Sequence, residues 1–231
     1  CLVSSVNSYR YCGQHQALVE RAIILSSAVK LFCEYTRTVN PYRNEQHGRL
    51  RIIGGRWKKR LIRFRGAADL RPTPDSVRET LFNWLAPVIE GAHCLDLYAG
   101  SGALGIEAAS RGANFVSLVE IHRKACTQLR QTLSGLETEN IEIYCAEALD
   151  WMTRCNRQYD IVFVDPPYGE GLVDRSLQRL SRCALLNPHA RIYVECGVRE
   201  KPIIPVGWKL LQHKTAGQVA YRLFGIGEVD E

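Results

Sequence analysis

Apolar and polar positions alternate with two different periods along this chain. Leu50 to Gly54 and Arg60 to Phe64 switch sides residue by residue, which predicts a β-hairpin. From Val77 onward the spacing becomes helical, with Val77, Leu81, Trp84, Leu85 and Val88 on one stripe, and Thr73-Pro74 just ahead reads as the cap and first turn. Beyond that helix, short apolar runs predict strands at 93–97, 114–119, 140–145, 159–164 and 190–195, with two further strand candidates at 208–214 and 219–225. Amphipathic stretches between them predict helices at 103–110, 122–134, 147–153 and 173–183. Strands that alternate with helices argue for an α/β fold with a doubly wound, mostly parallel sheet, whose ligands sit at the carboxyl ends of the strands. Asp96, Glu120, Glu147 and Asp165 fall at or just past such ends.

The rest of the chain divides by composition. Residues 1–48 begin with Cys and carry one amphipathic stretch, Ala17 to Phe32; they are expected to form an appended or disordered leader, ending in a linker from Asn40 to Gly48. Residues 49–88 form a basic hairpin and helix, and 89–231 the main α/β domain. Ala22 to Val29 is too short and too closely flanked by charge to span a membrane or serve as a secretion signal. The nine cysteines are scattered without a Cys-x-x-Cys pair, several of them inside apolar strands as Cys94 and Cys145 are, and are expected to be reduced core thiols in a cytoplasmic protein. His93, His122, His189 and His213 show no ligand spacing, so no metal is expected.

Charge changes this picture. Residues 49–78 hold ten Lys or Arg against Asp69 and Asp75, whereas acids outnumber bases from residue 79 onward. Such a run fits a solvated hairpin and a polyanion-binding arm equally well. Trp57, set among Arg56, Lys58, Lys59 and Arg60, favours RNA, because an aromatic ring between phosphate-binding cations can stack on a splayed base. Arg71 and Arg78 flank the helix start and can either pair with Asp75 or reach RNA, while Glu79 and Glu107 read as exposed helix faces.

Two strand ends carry chemistry. Asp165-Pro166-Pro167-Tyr168 closes the apolar run Tyr159 to Val164. A carboxylate and a proline-flanked carbonyl can accept the two hydrogens of an exocyclic amine and aim its nitrogen at an electrophile, with Tyr168 stacked on the ring; prolines leave carbonyls free because they fix φ and lack an N–H. Upstream, His93 to Tyr98 runs into Ala99-Gly100-Ser101-Gly102-Ala103-Leu104-Gly105, a turn through which a ligand can approach the backbone at a helix N-terminus. Dinucleotide enzymes use a similar string for a pyrophosphate. Asp96 disfavours a phosphate there and favours an ammonium or sulfonium, as in S-adenosylmethionine, and Glu120 stands where an acid accepts ribose hydroxyls of either cofactor.

The two motifs resemble the S-adenosylmethionine-dependent amino-methyltransferases. With Arg51-Ile52-Ile53-Gly54-Gly55-Arg56-Trp57, Leu70 to Leu85 and Ala216 to Leu223 added, the chain resembles the bacterial small-subunit (16S) ribosomal RNA guanine-N2-methyltransferase family over residues 49 to about 225. The resemblance implies a Rossmann-like class I methyltransferase sheet whose last strand enters antiparallel, preceded by a small β-hairpin and helix extension. It implies methyl transfer from S-adenosylmethionine to a guanine N2 of ribosomal RNA, free or in an assembling subunit, by a monomer. Catalytic roles are implied for Asp165, Pro166 and Tyr168, cofactor contacts for Asp96, Tyr98, Gly100, Ser101, Gly102, Glu120, Ile121, Glu147 and Ala148, and RNA contacts for Arg56, Trp57, Lys58, Lys59, Arg60, Arg71 and Arg78. At Glu147 an adenine contact stands beside a plain helix-dipole role. Two other functions remain open, an adenine-N6 DNA methyltransferase and a non-catalytic assembly factor on the same fold.

Overall fold

Seven strands form the central sheet in the order β5-β4-β3-β6-β7-β9-β8. They are β3 (His93–Asp96), β4 (Phe115–Glu120), β5 (Ile141–Cys145), β6 (Tyr159–Val164), β7 (Leu186–Gly197), β8 (Trp208–Ala216) and β9 (Val219–Ile226). The computed structural model describes residues 46–66 and 73–227. Strands β3 to β7 run parallel, while β9 enters antiparallel between β7 and β8, as the resemblance implies. Helices α2 (Ala103–Ser110), α3 (Arg123–Ser134), α4 (Ala148–Met152) and α5 (Leu172–Arg182) connect the parallel strands.

The period-two pattern of the buried strands sorts side chains onto two faces. Cys94, Ile161, Phe163 and Tyr193 enter one core with α2, whereas Leu95, Val162, Val164, Ile192 and Val194 enter the other with α4 and α5. Helix α1 (Asp75–Leu85) places Val77, Leu81, Phe82 and Leu85 in the first core. Complete burial of each contributes about 1.5–3 kcal/mol. A separate two-stranded sheet, β1 (Gln46–Arg51) with β2 (Leu61–Gly66), precedes α1; Leu50 and Ile62 of its strands, with Ile52 and Trp57 of the loop between them, enter that same core.

Several expectations shift. The hairpin pairs Gln46 with Gly66 through Arg51 with Leu61, so its first strand begins inside the expected linker. Arg71 lies outside the described residues, as do residues 1–45 of the expected leader. Helix α1 starts at Asp75 with Pro74 at the cap position and no side-chain cap, so Thr73 does not cap it. The described cysteines are all free; Cys94 is a core thiol, but Cys145 is exposed at the end of its strand.

Candidate active site

From β3 the chain moves to β4 on one side of the sheet, and from β5 it returns to β6 on the other, so the crevice opens between the carboxyl ends of β3 and β6. Register brings Asp96 opposite Phe163, which sets Asp96 and Asp165 beside one another. Asp96 is buried, and its Oδ2 accepts the Gly105 N–H at 3.1 Å. Burial pushes its carboxyl up to about 7, opposed by N–H donation from Gly105 and Tyr98 and reinforced by the negative charge of Glu120. A buried acid without a cation costs stability, so this position favours a positively charged ligand.

The glycine loop has the shape its sequence demands. Gly100 and Gly102 hold φ of 51° and 78°. A Cβ on Gly105 would stand 2.2 Å from Leu118 Cδ2, so glycine lets α2 approach β4 without displacing that buried side chain. Glu120 accepts Gly100 N–H at 2.9 Å through Oε2 and His122 N–H at 2.7 Å through Oε1, which orients the carboxylate and leaves each oxygen a further lone pair. Ser101 is buried in the loop, and Ile121, 57% exposed, follows Glu120. Tyr98 shares a 2.6 Å hydrogen bond with Ser176 of α5. Glu147 caps α4 by accepting Asp150 N–H at 2.7 Å, with Ala148 buried behind it, so the dipole role is realised. The described residues contain no group of acids, histidines and cysteines fit to hold a metal.

At the end of β6, Asp165 is half-buried, Pro166 is buried and the Tyr168 ring is 54% exposed. Beside them stands an acid that the motifs did not single out. Glu195 of β7 is 3% exposed and accepts the Tyr193 hydroxyl at 2.8 Å and that of Tyr168 at 3.4 Å. Thr73 places its hydroxyl 3.3 Å from Asp165 Oδ2 and 3.5 Å from Glu195 Oε2. Burial, then the charges of Glu195 and Asp96, raise the Asp165 carboxyl well above the ordinary range, against a lowering contribution from Thr73. Burial raises Glu195 as well, against its three hydroxyl donors. The strand-end rule that selects Asp96 and Asp165 also applies to Glu195, which closes the expected 190–195 strand.

The basic arm departs further from expectation. Trp57 is 5% exposed, its N–H donates to Ser110 Oγ at 3.0 Å, and the Arg56 guanidinium lies 4.2 Å from its ring centroid. A ring so covered cannot stack on a base; Trp57 anchors the loop instead. Arg78 is fully buried, donating to Asp75 at 2.6 Å and to the Arg51 carbonyl at 2.9 Å, so it does not reach RNA. Glu107 is not on an exposed face: it is 1% exposed, accepts Ile53 N–H and Gly54 N–H at 2.8 Å each and Arg111 Nε at 2.7 Å, and lies 3.5 Å from Arg78 Nη1. Gly55, at φ +73°, lets the loop touch α2; a Cβ there would fall 1.8 Å from the Ser110 carbonyl oxygen. Glu79 is exposed as expected. Arg49, Arg51, Arg56, Lys58, Lys59 and Arg60 are exposed, with Arg56 tied to Thr138 and Asn140, and Arg60 to the Gly135 carbonyl.

Residues 50–225 match the family model described as conserved hypothetical protein 95. The chain is 46% identical over 178 residues to ribosomal RNA small subunit methyltransferase D of Escherichia coli strain K12, covering 77% of this chain and 90% of the relative. The Haemophilus influenzae protein of the same name is 42% identical over 182 residues, with 77% and 94% covered. Among solved structures, a putative methyltransferase yhhF from Escherichia coli superposes with a TM-score of 0.72 at 43% identity, covering 78% of this chain and 98% of that one.

Proposed function

Since the chain belongs to the conserved hypothetical protein 95 family, alongside the ribosomal RNA small subunit methyltransferases D, we propose that it transfers a methyl group from S-adenosylmethionine to the exocyclic N2 of a guanine in small-subunit ribosomal RNA. The observation that carries this reading is the pairing of two strand-end acids across the switch point: Asp96 on the glycine-loop side and Asp165 on the Pro-Pro-Tyr side. The donor set fits a cationic nucleoside, with Asp96 and the 99–105 loop for the amino acid end and Glu120 for the ribose. When bound, S-adenosylmethionine supplies a methyl group already activated by its sulfonium. No enzyme nucleophile is therefore needed, and the alternatives on DNA or without catalysis are set aside.

The chain's own residues have two tasks. Asp165 and the Pro166 carbonyl accept the N–H groups of the guanine amine, and Tyr168, with its ring exposed, stacks on the base. As the nitrogen gains positive charge, Asp165 stabilises it at short range and then takes its proton, which is electrostatic stabilisation and base catalysis by one group. The 49–88 extension contributes RNA affinity through the exposed cations of its loop, Lys58, Lys59 and Arg60 foremost. The test is methyl transfer from labelled S-adenosylmethionine to small subunits taken from a bacterial strain lacking its own family member. Label in N2-methylguanosine supports the reading, while label in N6-methyladenosine, or none, refutes it. Asp165→Ala should lower the single-turnover rate by about 10²-fold or more.

A further inference from the structure

Glu195 has no part in the chemistry as described, yet it is the most heavily bonded carboxylate around Asp165. Tyr193 donates to its Oε2 and Tyr168 to its Oε1, and Thr73 joins Oε2 to Asp165. One hydroxyl carries one hydrogen, so Thr73 can donate to only one of the two acids at a time. Among the described residues no Lys or Arg lies within ion-pair distance of either. The charged and titratable groups that face the pair are Asp96 from β3, Tyr193 and Cys196 from β7, Tyr168 from the loop and Tyr221 from β9, with Arg222 bonded to Cys196 at 3.0 Å. Two carboxylates joined in this way, without a cation, cannot both ionise at low cost.

We propose that Glu195 is a positioning residue acting through Asp165: the two acids share a single proton across the Thr73 hydroxyl, and Glu195 sets the charge that Asp165 presents to the substrate amine. Before the amine arrives, Asp165 holds the proton and donates to Thr73, which donates to ionised Glu195. When the amine's N–H groups need an acceptor, the proton moves from Asp165 to Thr73 Oγ1 while the Thr73 hydrogen moves to Glu195 Oε2. Asp165 becomes ionised, Glu195 neutral, and the pair's charge is unchanged. In the transfer itself the C–N bond forms as the C–S bond breaks, and the surplus proton of the methylated nitrogen passes to Asp165. This inference rests on the methyltransferase reading for its purpose but not for its measurement.

The experiment titrates the Asp165 carboxyl by carbon-13 NMR in the whole protein alone, in wild type, Glu195→Gln and Thr73→Val. Removing the neighbouring negative charge should move the Asp165 midpoint to lower pH, and so should removing the hydroxyl, because protonated Asp165 then loses the acceptor that joins it to ionised Glu195. Thr73→Ser should restore the wild-type midpoint. The acid limb of the single-turnover methylation rate should follow the same order, moving to lower pH in Glu195→Gln. A shift to higher pH in Thr73→Val, or an Asp165 midpoint that ignores both variants, would overturn the shared proton. A lower rate plateau with an unmoved midpoint would make Glu195 merely structural, and it too would overturn the proposal. Correctly shifted midpoints in a protein that methylates no RNA would instead sink the functional reading and leave the dyad standing.

Discussion

Replacing Glu107 with Ala should be among the most damaging single changes in the chain, although it touches neither acid of the crevice. Its carboxylate is 1% exposed, meets three donors, Ile53 N–H, Gly54 N–H and Arg111 Nε, and lies 3.5 Å from Arg78 Nη1 as an ion pair. Truncation strands two backbone N–H groups at about 1–3 kcal/mol each. It also leaves the fully buried Arg78 with only Asp75 and the Arg51 carbonyl, a loss of the kind that costs roughly 3–5 kcal/mol when a buried pair loses one member. Simple addition overshoots because the loop relaxes, so a total of about 3–5 kcal/mol is expected by urea denaturation followed by tryptophan fluorescence. Glu107→Gln should fall between, since its single oxygen serves only one of the two N–H groups and its NH₂ faces the other. Hydrogen exchange at Ile53 and Gly54 should accelerate in both variants. A loss below about 1 kcal/mol in Glu107→Ala would mean that these bonds are no better than those made to water, and the account of the buried anchor would fail.

Four further outcomes follow from the crevice and the basic loop. A cation bound beside Asp96, whose carboxyl is raised to about 7, favours the ionised form, so S-adenosylmethionine binding near neutral pH should release a proton, seen by calorimetry in buffers of different ionisation heat and absent in Asp96→Asn. Without ligand the sign reverses: the folded state binds the extra proton between the ordinary carboxylate range and about 7, so stability should fall as pH rises through that window and Asp96→Asn should remove that slope. Tyr168→Ala should weaken RNA capture by about 1–3 kcal/mol if the ring stacks on the base, whereas Tyr168→Phe keeps most of that affinity; equal losses in a filter-binding assay would disprove stacking. Neutralising Lys58, Lys59 and Arg60 together should flatten the salt dependence of RNA affinity, because fewer counterions are released, and an unchanged slope would remove the loop from the interface.

The sheet and the crevice were legible because backbone geometry writes them into local sequence. A buried parallel strand is a short apolar run, and a polar residue at its end has nowhere to go but the ligand crevice, which is why Asp96, Glu120 and Asp165 stood out. Glu195 obeys the same rule and lacked only a flanking motif. Trp57, Arg78 and Glu107 were misread for the opposite reason: their surroundings are built from residues far away in the chain. Glu107 takes its two N–H donors from positions 53 and 54 residues distant, and Trp57 lies among cations that look solvated until Ser110 and the first core close over it. Composition reports a charge run but not which cations turn inward. Thr73 shows another limit, since Thr-Pro ahead of a helix fits a cap, and only the position of β6 and β7 redirects its hydroxyl to Asp165 and Glu195.

The eight residues of α2 join the crevice to the basic loop. Near its start, Gly105 N–H holds Asp96; further along, Glu107 and Ser110 hold the loop that carries Lys58, Lys59 and Arg60. The hairpin is thus fastened to the same helix that shapes the glycine loop, and at Gly55 a Cβ would strike the Ser110 carbonyl oxygen. A methyl transfer whose donor is already activated gains most of its rate from alignment, since well-oriented reactants can be worth about 7–11 kcal/mol of barrier. Fixing the basic loop and the glycine loop to one short helix keeps the distance between them from depending on a flexible joint, as the proposed reaction requires. Glu107 and Arg78 therefore hold the basic loop in register with Asp96 and Asp165 from outside the crevice, where the proposed RNA contact needs it.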